Sequence, residues 1–165
     1  PCAAAAMYRR DVFLDAGGFD ESFFCYFEDI DLAFRLRLLG QRCLYVPNAK
    51  VNHIGSATTE RQSDFAIYHG HRNMVWTYVK NMPSSLFWNG LPQHILVNIA
   101  ALIRFSLNGQ IGPIFKAKWD ALMGLVKIMK QRRSIQKNIK TSETSLKRVI
   151  AKDWLLPYSK SRRLI

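Results

Sequence analysis

One stretch decides how this chain is read: Gly17-Gly18-Phe19-Asp20-Glu21-Ser22-Phe23-Phe24, followed after Cys25 by Tyr26-Phe27-Glu28-Asp29-Ile30-Asp31-Leu32. The paired glycines stop the helical turn expected over residues 12–16, because glycine reaches positive φ without a Cβ penalty. An aromatic, irregular run comes next, and then three carboxylates, Glu28, Asp29 and Asp31, ahead of Arg35 and Arg37. Acids first and bases last is the order a helix dipole favours, and Gly40 suits the position just past a helix end, so the spacing predicts a helix over 29–39. Working outward, residues 3–8 read as a short buried strand. Cys43-Leu44-Tyr45-Val46 reads as a strand closed by Pro47, residues 50–53 as a second extended piece, and 55–59 as a polar loop. Residues 64–80 read as a helix with Phe65, Ile67, Tyr68, Val75, Trp76 and Val79 on its apolar side, ended by Pro83. Strand and helix alternate, which predicts an α/β first half.

With 48% hydrophobic and 22% charged residues among 165, the chain has the composition of a packed core and not of a disordered protein. Its formal charge of +12 is unevenly placed. Up to Pro83 nine basic residues face nine acidic ones; beyond it stand fifteen basic and three acidic. A uniformly basic nucleic-acid binder is excluded, and the chain divides into a neutral segment, 1–83, and a cationic one, 84–165. Cys2, Cys25 and Cys43 are odd in number and lack metal-ligand spacing, which excludes a disulfide scaffold and suits a reducing compartment. The chain opens on Pro1 with no signal-like segment, and it is expected to be a fragment.

Residues 81–103 contain no Asp, Glu, Lys or Arg, long enough to test against a membrane span of about 20 residues. Pro92, Gln93, His94 and Asn98 interrupt the stretch and Arg104 follows it, so spanning is not expected. Over 114–130, at ~100° per residue, Phe115, Trp119, Leu122, Leu125, Val126 and Met129 share one arc opposite Lys116, Asp120, Lys127 and Lys130. One amphipathic helix lying in a membrane interface is expected, its basic continuation through Arg132, Arg133, Lys137 and Lys140 meeting anionic headgroups. A helix packed on its own domain is the other reading of the same pattern.

Taken in order, the two motif runs, then Arg35, Gly40, Pro47, His53 and the Arg72-Asn73 pair, resemble a known family. They are similar to the C-terminal part of the catalytic domain of family 2 glycosyltransferases with the GT-A fold, in the rhamnosyltransferase-like branch, over about residues 2–83. The resemblance implies the C-terminal portion of a Rossmann-like α/β domain followed by a helical basic tail. It implies inverting transfer of a sugar, rhamnose among the candidates, from a nucleotide-sugar donor to a hydroxyl of a lipid-linked or polysaccharide acceptor. Such a displacement needs a carboxylate to take the hydroxyl proton, and the resemblance assigns that role to Asp29. It places Gly17, Gly18, Asp20, Glu21 and Glu28 against substrate, and His53 as a ligand of Mg2+ or Mn2+ that neutralises the diphosphate leaving group. Asp29-Ile30-Asp31 spells Asp-x-Asp, but it stands where the family keeps its base; the metal-binding Asp-x-Asp is expected upstream. The implied setting is cytoplasmic, peripheral on the inner face of the plasma membrane, with an anionic membrane surface and no nucleic acid as partner. Two rivals stand beside this reading. In one, the three carboxylates merely complement the helix dipole; in the other, the chain is a small α/β binding module whose cationic tail meets anionic lipid or nucleic acid.

Overall fold

The computed structural model describes residues 3–53 and 63–150. In chain order the helices are α1 (Arg10–Asp15), α2 (Glu28–Leu38), α3 (Asp64–Asn81), α4 (Ser84–Leu107), α5 (Ile111–Met123), α6 (Leu125–Lys137) and α7 (Glu143–Val149), with single 3-10 turns at Ala3–Ala5 and Glu21–Phe23. The helix expected over 29–39 is α2. It ends as Gly40 foretold: at φ +81 this residue lets its own N–H reach the Arg37 carbonyl while Gln41 N–H reaches that of Leu36, closing the last turn. The helix expected over 64–80 is α3, begun by Ser63, whose hydroxyl accepts from Ala66 N–H at 3.2 Å.

The α/β expectation, and with it the Rossmann-like GT-A domain, is overturned: among the described residues there is no strand and no sheet. Residues 3–8 form a 3-10 turn and coil, and 43–46 and 50–53 are open chain. Leu44 and Tyr45 are 85% and 88% exposed. The β-branched and aromatic composition of these pieces is right for strands, but a strand is held by its neighbour's ladder. Among the described residues no such ladder forms. The polar loop expected over 55–59 lies outside the described residues.

What is built is a helical layer around α3, which packs on α5 and α6 and touches α2 and α4. Phe23, Trp76, Ala121 and Ile128 form the central cluster, with Phe27, Val75 and Val79 against it. Residues from both sides of Pro83 thus share one apolar core, each large side chain contributing about 1.5–3 kcal/mol by burial. The single helix expected over 114–130 is two. Trp76 Nε1 donates to the Ala121 carbonyl at 3.0 Å, the acceptor that a continuous helix would offer to residue 125. The indole lies so close to Gly124 that a Cβ there would stand 2.5 Å from Trp76 Cζ2. Helix α4 runs through Pro92 for 24 residues, roughly 36 Å, and is long and apolar enough to cross a membrane by length and composition.

Candidate active site

The two glycines of the motif do what their conformation requires. Gly17 and Gly18 sit at φ +79 and +62, and a Cβ on Gly18 would press within 3.2 Å of the Phe13 ring. Their turn is fastened to α2 by Arg35, whose guanidinium donates to the carbonyls of Ala16 and, at 2.7 Å, Gly18.

Arg35 also reaches Asp31 at 2.8 Å, and there a buried polar network begins. Asp31 is fully buried and accepts from Arg35, from Lys80 Nζ at 2.9 and 3.0 Å, and from Asn81 Nδ2 at 2.8 Å. Lys80, itself buried, also donates to Asp20 Oδ2 at 2.6 Å. Asp20 takes three further bonds: Ser22 N–H at 3.0 Å and Ser22 Oγ at 2.5 Å on one oxygen, and Gln131 Nε2 at 2.9 Å on the other. Burial pulls the Asp20 carboxyl upward, but Lys80 and the Ser22 donors outweigh it and hold it well below the usual carboxylate range. Every strong acceptor direction of Asp20 and Asp31 is therefore used by the protein. These two carboxylates join α2, α3 and α6.

Asp29, two residues before Asp31, is in a different situation. It is half-buried in the first turn of α2 and, among the described residues, accepts from backbone N–H groups alone, Ile30 at 2.8 Å and Ala3 at 3.1 Å. Beside it, Glu28 is pushed upward by burial and by the Asp29 charge, and Glu28 Oε2 is buried without a hydrogen-bond partner among the described residues. The pair is delivered by an unusual approach. Phe24, Tyr26 and Phe27 all have positive φ, at 60°, 64° and 69°, conformations that cost non-glycine residues of order 1–3 kcal/mol each. At Phe24 the chain makes a three-residue turn, with Cys25 N–H on the Phe23 carbonyl at 2.7 Å. Asn73 answers this loop from α3: its amide nitrogen donates to the carbonyls of Phe23, Cys25 and Tyr26 at 2.9, 2.8 and 2.8 Å.

An open cleft of about 560 Å³ lies beside the glycine turn, lined by Gly17, Phe19, Glu21 and Asp20 on one side and by Lys127, Gln131 and Ser134 of α6 on the other. Asp29 does not line it. Of the residues picked out in the sequence, the structure gathers Gly17, Asp20 and Glu21 at this cleft and holds Glu28 and Asp29 at the head of α2. His53 stands exposed at the end of open chain, and among the described residues no three His, Cys, Asp or Glu come together as a metal site. The described residues do not by themselves fit a divalent ion. Sequence reasoning missed Lys80, Asn81 and Gln131 as parts of the site. Their roles depend on contacts across 49 to 111 residues, and no local pattern signals those. The Arg72-Asn73 pair was visible as a motif but carried no role.

No protein-family model matches this chain, and no solved structure matches it. Two relatives, each called an N-acetylglucosaminyl-diphospho-decaprenol L-rhamnosyltransferase, come from two strains of Mycobacterium tuberculosis. Both are 43% identical over 65 residues, 38% of this chain and 21% of theirs. Rhamnosyltransferase WbbL of Escherichia coli K12 is 49% identical over 47 residues, 28% of this chain and 18% of its own. The chain spans about a fifth of the length of the curated relatives it matches. The similarity relates that segment to glycosyltransferases.

Proposed function

We propose that this chain forms the acceptor-side part of an inverting family 2 glycosyltransferase, rhamnose being the sugar that the relatives' names suggest. The donor is a nucleotide sugar and the acceptor a hydroxyl of a lipid-linked or polysaccharide substrate. Asp29 takes the proton from the attacking hydroxyl as its oxygen bonds to the anomeric carbon, and the bond to the nucleoside diphosphate breaks with inversion. The observation that carries this reading is the contrast within α2: Asp31 is enclosed by three side-chain donors, while Asp29, among the described residues, is met by backbone N–H groups and by no side chain. Glu28, with an oxygen that is buried and has no hydrogen-bond partner among the described residues, is the substrate-side neighbour. The cleft beside Gly17 and Glu21 offers the aromatic edge, hydroxyl, amide and carboxylate that sugars bind. The test is sugar transfer by the protein that carries this chain: Asp29→Asn lowers kcat about 10²–10⁴-fold, the usual contribution of a positioned base.

The second half docks peripherally on the inner face of the plasma membrane in this reading. Trp119, Leu122 and Met123 of α5 and Val126 of α6 are more than half exposed, beside Lys116, Lys127, Lys130 and Arg133. Helix α4 stays with the protein, because it packs along α5 and its Asn98 accepts from Lys118 Nζ. Release of the protein from membranes by high salt or alkaline carbonate supports this arrangement; retention through carbonate opposes it.

A further inference from the structure

We infer that Asn73, seconded by Arg72, is a positioning residue that holds the 22–27 loop in its left-handed course and so sets where Glu28 and Asp29 stand. The inference rests on the transferase reading for the meaning of that position, but on geometry alone for its existence. Positive φ at Phe24, Tyr26 and Phe27 accompanies a course in which three carbonyls of the loop, those of Phe23, Cys25 and Tyr26, meet at one point. That point is occupied by a fully buried amide. Its orientation is fixed, because Asn73 Oδ1 accepts from Arg72 Nε at 2.9 Å and so the nitrogen must face the carbonyls. Asparagine is the side chain that brings two N–H donors on so short a stem; aspartate brings none, serine one, and glutamine reaches too far.

Arg72 strengthens the hold. Its Nη2 donates to the Ser22 and Phe23 carbonyls at 3.2 and 3.1 Å, and its guanidinium lies 4.4 Å from the Trp76 ring centre. Through Nη1 it meets Tyr68 Oη at 3.3 Å, and that hydroxyl donates to Asp120 of α5 at 2.7 Å. Loop, α3 and α5 thus form one connected set of bonds. The set ends at the helix head: left-handed Phe27 caps α2, and its carbonyl accepts from Asp31 N–H at 2.8 Å. Releasing the loop from Asn73 would let these residues return to negative φ and swing the Glu28-Asp29 pair away.

Asn73→Ser is the test, alone and together with Tyr26→Gly and Phe27→Gly, since glycine enters positive φ without a Cβ penalty and so needs the clamp less. In the 165-residue chain, 13C-detected pH titration of the Glu28 carboxyl reads the site directly. Asn73→Ser is expected to bring Glu28 back towards an ordinary glutamate, and the glycine pair to reverse this. In the protein that carries the chain, Asn73→Ser is expected to lower kcat ~10²-fold, the cost of misplacing a reacting group by about 1 Å, with donor KM unchanged and kcat restored at least tenfold by the glycines. If Asn73→Ser does not fold, Arg72→Gln serves in its place, with the same direction and glycine rescue. The inference is overturned if the Glu28 titration is unmoved, or if activity and the Glu28 shift are lost and the glycines restore neither. If instead Asp29→Asn leaves transfer intact while the Glu28 titration responds as expected, the clamp stands and the transferase reading falls.

Discussion

Two regions of this molecule treat their polar and apolar groups in opposite ways. Between α2, α3 and α6, Asp20, Asp31, Arg35, Lys80 and Asn73 are buried or nearly so and bonded in most directions. On the outer sides of α4 and α5, Ile95, Ile99, Ile103, Leu107, Ile111, Phe115 and Trp119 are left uncovered. The first region is where breaking one partner leaves a buried charge alone; the second is where substitution costs the fold little. The contrast teaches where to look for action. Saturated groups build the frame, whereas Asp29, met among the described residues by backbone N–H groups alone, and the uncovered apolar stripes carry little of it.

The sharpest way to break the contrast is Lys80→Met. It leaves Asp20 and Asp31 facing each other with one cation removed, and the expected loss is about 3–5 kcal/mol of unfolding free energy, read by urea denaturation; a loss below about 1 kcal/mol would mean the network is not closed as described. The next effect is set by acid. Burial, together with the Lys118 charge, lowers His71 and His94 to about 4 each, Arg104 adding to the effect on His71. Their unfolded values are near 6.5, so between these limits the unfolded chain binds more protons and stability falls as pH drops through that window. The bound is on the order of 3 kcal/mol per histidine, trimmed by partial solvent access. Asp20, held low in the fold, loses its contribution further down in pH, whereas raised Glu28 works the other way. Denaturation at pH 7.5 and 5 should show the loss, and His71→Gln with His94→Gln should flatten it.

Gly124→Ala sharpens the core side of the comparison. The added methyl would meet the Trp76 indole at 2.5 Å, so a cost of about 1–3 kcal/mol is expected from overpacking, visible as a lowered Tm. Smallest in the fold is Trp119→Ala with Leu122→Ala. Stability should stay within about 0.5 kcal/mol per site, while binding to anionic vesicles weakens at least tenfold. Unchanged vesicle binding would mean that the exposed stripe of α5 has another use.

Part of the helical structure could be read beforehand, because dipole order and terminus signals are local: Gly40 ends α2 where its letter says it should, and the helix read over 64–80 is α3. The strands could not be. Leu44, Tyr45 and Val46 have strand composition, but a ladder belongs to two segments and none forms among the described residues. The break at Gly124 was hidden for a similar reason, since it is made by Trp76 from another helix. In the site, the two aspartates of Asp29-Ile30-Asp31 are equivalent as letters. Lys80, Arg35 and Asn81 make one of them structural, and of these Lys80 and Asn81 lie 49 and 50 residues away.

Those two aspartates give the most direct test. Asp29→Asn and Asp31→Asn, made side by side in the protein that carries this chain, are assayed for sugar transfer and for thermal melting. The account predicts that Asp29→Asn loses about 10²–10⁴-fold in kcat with its melting curve nearly unmoved, and that Asp31→Asn lowers the melting temperature because Lys80 and Arg35 lose their shared counter-charge. Full turnover with Asp29→Asn, or loss of turnover with Asp31→Asn at an unchanged melting temperature, would contradict it.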